Sequence, residues 1–182
     1  MRKLCLLAGL LLCAAAAGLA QQTAAPLGAR LKLKWQGDVV RFQEGNVSHE
    51  VSIRDQFHAV RLDKVALQSA KEAGGYIYLL LDVTGPSKIP QDSHQCGAGS
   101  ESDLIWLKLD KDWKLQDAKS FRYESCWATI DADSPPKWQG DTLAVTVFSV
   151  SEGAGKTVAA IYSRKHPEEG LKVVVVEAQG GK

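Results

Sequence analysis

Glu101, Asp103, Asp131 and Asp133 gather around the two ends of the stretch bounded by Cys96 and Cys126. Paired carboxylates perform acid–base catalysis when their surroundings push their pKa values apart, so these four are the first residues to consider for a hydrolase. They occur in Ser- and Pro-rich segments, where solvated turn roles are commoner, and no nucleophile accompanies them. Ser100 and Ser102 lie in "GAGSESD", which lacks the closing glycine of a Gly-x-Ser-x-Gly elbow. His49, His58, His94 and His166 show no H-E-x-x-H spacing. A non-catalytic binding module of unknown ligand is the leading expectation, and an enzyme using loop carboxylates is the alternative.

Other chemistry-bearing patterns are incomplete. His94 and Cys96 would need a second pair of metal ligands, and only Cys126 offers itself. In "LDKDWKLQD", Asp110, Asp112 and Asp117 suggest a calcium loop, but Lys114 stands where a ligand is required. "SEGAGKTVAAI", residues 151–161, ends like a phosphate-binding loop, yet Val150 occupies the position of its first glycine and the following residues alternate as a strand does. No metal, cofactor or nucleotide is expected. The sequon at Asn46 identifies no function.

The tryptophans are Trp35, Trp106, Trp113, Trp127 and Trp138. Indole faces stack on sugars, although core packing is the commoner use of so large a side chain. Trp113, in an acidic turn, and Trp127, beside Cys126, are the two expected at the surface. With Asp131, Asp133 and His94 they form the candidate binding set for a protein or glycan ligand, all but Trp113 carried on the loops 89–101 and 126–137. A rigid β scaffold carrying paired irregular loops is where recognition tends to sit.

The chain has 182 residues. Residues 1–20 read as a secretory signal peptide: Arg2 and Lys3, an apolar run, then small residues before Gln21. Leu12 before Cys13 argues against lipid attachment, and no later segment has the roughly 18 apolar residues of a membrane span. Removal leaves about 160 residues, suited to one domain, with a net charge of about −1 and interspersed signs. A basic stripe for nucleic acid is missing. Export to the periplasm or beyond makes Cys96 and Cys126 a disulfide, which closes about 30 residues and stabilises by roughly 3–4 kcal/mol in the chain-entropy model.

The elements that must position these residues are short strands separated by Gly, Asp, Asn and Pro turns. Residues 31–35 alternate Leu31, Leu33 and Trp35 against Lys32 and Lys34. Further strands are expected at 38–43, 47–54, 59–67, 76–83, 104–109, 115–124, 142–150, 157–164 and 171–177. Residues 63–73 are ambiguous between strand and a short helix, with strand preferred. "KWQGD" occurs at 34–38 and again at 137–141, each time followed by strand, Glu-Gly turn and strand. A spacing of about 100 residues suits a duplicated meander rather than a solenoid or a four-bladed propeller. "YIYLLLD" and "LIWLKLD" form a second echo. The expected fold is all-β: a mainly antiparallel β-sandwich or small β-barrel with hairpin connections and one disulfide. It comprises a single domain over 30–178, with flexible segments at 21–29 and 179–182.

Overall fold

The computed structural model describes residues 25–88, 99–126, 128–149 and 156–176. Twelve strands are assigned among them: β1 (Leu31–Gln36), β2 (Val39–Glu44), β3 (Val47–Ser52), β4 (Lys64–Ala73), β5 (Tyr76–Pro86), β6 (Ser100–Leu109), β7 (Leu115–Ser125), β8 (Ile130–Ala132), β9 (Lys137–Gln139), β10 (Thr142–Ser149), β11 (Lys156–Ser163) and β12 (Lys172–Val176). One helical turn, α1 (Leu27–Arg30), precedes them and buries Leu27, at the end of the segment expected to be flexible. Every strand pairing is antiparallel. Strands β1–β2–β3 form one sheet. The rest form a nine-stranded sheet in the order β12-β11-β10-β8-β7-β6-β5-β4, with β9 also paired to β10. The large sheet is not closed. No helix among the described residues is long and apolar enough to cross a membrane.

Two apolar clusters lie on opposite faces of β5 and β6. Ile77, Leu79, Leu81 and Val83 join Ile105, Leu107 and Leu109 beneath Val40, Phe42, Val51 and Ile53 of the small sheet and its end. Tyr78, Leu80, Leu104 and Trp106 face the other way, against Leu143, Val145, Val147, Ala160 and Tyr162 of β10 and β11. Strand side chains alternate, so a strand covered on both sides needs apolar residues at both parities, which "YIYLLLD" supplies. Burying each such side chain contributes about 1.5–3 kcal/mol. At the far end of the sheet, all residues of β12 are exposed, Val173 to Val176 included.

The duplicated pentapeptide forms the same hairpin twice. Gln36 pairs with Val39 and Gln139 with Thr142, leaving Gly-Asp as a two-residue turn. Gly37 (φ 63°) and Gly140 (φ 60°) are left-handed while the Asp that follows is not, the pattern of a type II′ turn. Each turn is closed by the same backbone bond, from Ile53 N–H to Asp38 O and from Arg164 N–H to Asp141 O, both 2.9 Å. Lys156 and Thr157 of the Gly-Lys-Thr begin strand β11, with no helix after them.

One expected boundary needs correction. The 63–73 segment, for which strand was preferred, is strand β4, but the strand expected at 59–67 starts only at Lys64. Residues 57–63 instead cross the end of β5, tied by Val60 N–H to Pro86 O (3.0 Å) and Asp63 N–H to Thr84 O (2.9 Å). Gly85 permits this crossing, since a Cβ there would sit 1.9 Å from Arg61 O and 2.9 Å from the Phe57 ring. Gly85→Ala is expected to destabilise the protein by about 3 kcal/mol through overpacking against backbone. Chemical denaturation of the variant measures it, and a loss below about 1 kcal/mol would show that the crossing segment yields easily.

Candidate functional site

Among the described residues the buried polar or charged side chains are Ser87, Glu101, Ser102, Asp103 and Ser125. All five sit at one end of β5, β6 and β7 or just beyond it. Glu101 and Asp103 share the parity of Ile105 and Leu107, so the strand that builds the first core carries two acids into the edge of that core. They were expected in a solvated loop. Instead β6 begins at Ser100, and Glu101 and Asp103 are 3% and 0% exposed. The acidic residues at core parity are the signal that a composition-based reading misses.

Each acid has a partner from elsewhere in the chain. The crossing segment places His58 over Asp103: Nδ1 lies 2.7 Å from Oδ1, and the His58 backbone N–H donates to Oδ2 at 3.3 Å. The His58 side chain stays 40% exposed. Glu101 Oε1 accepts from Ser87 Oγ at 2.7 Å, while Oε2 faces Arg122 Nε at 3.5 Å; among the described residues neither Oε2 nor Arg122 Nε makes a hydrogen bond. Both acids are buried, so removing the group that faces either one leaves a buried carboxyl without its partner, and each depends on the segment that supplies it. A buried Asp holding an exposed His is the orientation a general base requires. No serine, threonine or cysteine hydrogen-bonds to His58 among the described residues. His58 and Arg122 were not anticipated as site residues.

The opposite face of the same strand ends carries a second network. Ser102 Oγ donates to Glu124 Oε2 (3.0 Å), Ser100 Oγ to Glu124 Oε1 (3.3 Å), and Thr84 Oγ1 contacts Ser102 Oγ (3.2 Å). Deeper in, Tyr123 OH donates to Asp82 Oδ1 (2.7 Å), Gln68 Nε2 to Asp82 Oδ2 (3.3 Å), and Trp138 Nε1 to Gln68 Oε1 (3.3 Å). Burial pushes the Asp82 carboxyl up, opposed by the Tyr123 bond. The Tyr123 hydroxyl is raised by its own burial and by that carboxylate.

An open groove of about 390 Å³ borders these networks, lined by Ser100, Glu124, Ser125, Cys126, Thr129, Ile130 and Asp131 among others. Ser125 Oγ accepts the Ala128 N–H (2.9 Å) and shapes the turn. Thr129 is left-handed (φ 50°), an uncommon conformation for a β-branched residue and one that accumulates at binding sites. Asp131 therefore lies in a groove with Glu124, and Asp133 is exposed just beyond β8. Trp127, His94 and Cys96 lie outside the described residues.

Trp113 is not at this end and is not exposed. It is 8% exposed, stacked on His49 with ring centroids 4.4 Å apart and packed against Phe42. A left-handed backbone at Trp113 (φ 62°) turns its ring back under the small sheet. Asp110, considered for calcium, uses Oδ1 to accept the N–H groups of Asp112 and Lys114, both at 2.9 Å. Its role there is to build the turn. No group of three or more His, Cys, Asp or Glu among the described residues is placed to hold a metal ion. Neither a protein-family model, a curated protein nor a solved structure matches this chain.

The raised Asp82 has a measurable consequence. Its folded value lies above the unfolded 3.8, so its contribution is fully present below 3.8 and is lost as pH rises through the folded value. Asp82→Asn keeps an acceptor for Tyr123 but cannot ionise. Unfolding free energy measured between about pH 4 and pH 7 should therefore fall less steeply in the variant than in the parent. Parallel curves would mean that Asp82 is no more burdened by ionisation folded than unfolded.

Proposed function

We propose that this chain is an exported, non-catalytic binding module, that its layered sheets act as a β-sandwich scaffold, and that its ligand is a glycan held at the groove beside β6, β7 and β8. The carrying observation is the convergence of Glu124 and Asp131 with the hydroxyls of Ser100 and Thr129 on one open surface. Carboxylates accept charge-assisted hydrogen bonds from paired sugar hydroxyls, and Glu124 is already oriented by two serines. Trp127 follows Cys126 in sequence and would supply an aromatic face for a sugar ring. Export rests on residues 1–20. The Cys96–Cys126 disulfide is supported by Gly99, three residues after Cys96, where a Cβ would fall 2.5 Å from Cys126 Cβ. A second reading, hydrolysis, is favoured by the His58–Asp103 pair alone.

Titration with a panel of neutral oligosaccharides, read as a rise in Tm, tests the module. Combined Glu124→Ala and Asp131→Ala should leave the unliganded Tm within about 2 °C and abolish any rise. If no oligosaccharide raises Tm, the glycan reading fails. New reducing ends that vanish in His58→Ala would instead establish the hydrolase. Alkylation of unreduced exported protein should modify neither Cys96 nor Cys126, and labelling of both would remove the disulfide.

A further inference from the structure

The two KWQGD hairpins are identical in sequence, turn type, cross-strand register and closing backbone bond, so each serves as a control for the other. In the second copy the indole is fully partnered. Arg164 lies over the Trp138 ring at 3.8 Å from its centroid, Tyr162 meets it edge-on, and Nε1 is bonded to Gln68. Asp141 attracts that arginine, with Oδ1 4.0 Å from Nε, and also binds Lys165 at 2.9 Å. In the first copy the register puts Val51 where Tyr162 stands and Ile53 where Arg164 stands. Both are buried aliphatics of the first core and supply no cation. Trp35 is 38% exposed, and among the described residues its ring has no aromatic or cationic partner and its Nε1 no hydrogen bond. Among the described residues the Asp38 carboxylate, counterpart of that of Asp141, accepts only the Ser52 hydroxyl (3.0 Å) and makes no ion pair.

From this comparison we infer that Trp35 and Asp38 form a binding site for an arginine side chain presented by a partner protein. The second copy supplies the template: a guanidinium flat on the indole, attracted by the aspartate that follows the Trp-Gln-Gly turn. Guanidinium suits both contacts, because it is planar, always charged and weakly hydrated. Trp35 shares a groove with Lys34, Gln36, Val39, Arg41 and Glu50, in which Arg41 is paired with Glu50 and Lys34 alternates to the other face of β1. This site is separate from the groove of β6 to β8, so either can fail without the other.

The probe is N-acetyl-arginine amide at concentrations up to about 50 mM, suited to a single cation–π contact, with the neutral isostere N-acetyl-citrulline amide as control. The readout is the set of tryptophan indole N–H resonances, that of Trp35 being assigned by its loss in Trp35→Phe. Arginine amide should displace the Trp35 resonance saturably, citrulline amide should not, and Asp38→Asn should lose the response. Arg164→Ala should gain a second responding indole, Trp138. An equal response to both probes, no response at Trp35, or an undiminished one in Asp38→Asn would overturn the site. So would failure of Trp138 to respond once Arg164 is removed, since the second copy is the template.

Discussion

Two neighbouring strands with apolar side chains on both faces cannot remain at the surface of anything. β5 and β6 bury Leu79, Leu80, Leu81, Leu104, Ile105 and Leu107 completely, and those residues point alternately to opposite sides. A cover is therefore obligatory on each side. The three-stranded meander supplies one, and the far half of the large sheet, brought round through β10 and β11, supplies the other. Both covers open with the same Lys-Trp-Gln-Gly-Asp hairpin, so one short unit, used twice, meets the same physical demand on two faces.

The strand ends show what this arrangement permits. Acids can be carried to the edge of a core only where polar partners reach them from other segments, and here they are His58 of the crossing segment, Ser87 just after β5 and Arg122 of β7. The cost of leaving either acid unpaired fixes the path of residues 57–63 as firmly as apolar contact does. Gly85 makes the same path possible sterically. Polar and steric requirements thus converge on one junction, and the neighbouring groove is built on a rigid base.

Much of the architecture was legible in the residues. Period-two alternation located most of the strands, and the doubled pentapeptide located both meanders. The site was legible only in part, for physical reasons. "SESD" has a loop's composition, and only its parity with Ile105 marks Glu101 and Asp103 as core-directed. Trp113 looked exposed because a left-handed residue that folds a ring inward leaves no trace in local composition. His58 meets Asp103 across 45 positions, a separation that no local pattern reports.

The order of strands also bears on how the chain reaches this state. Apart from β8 with β10, which skips β9, each pairing in the large sheet joins neighbours in sequence. Such a meander can grow one hairpin at a time, each addition closing only a short loop and incurring little entropy. The contacts that bring its two halves together are of another kind: Gln68 with Trp138 spans 70 positions, and Ser69 with Tyr162 spans 93. Those contacts close the longest loops in the sheet, so loop-closure entropy opposes them most and favours their forming after the hairpins.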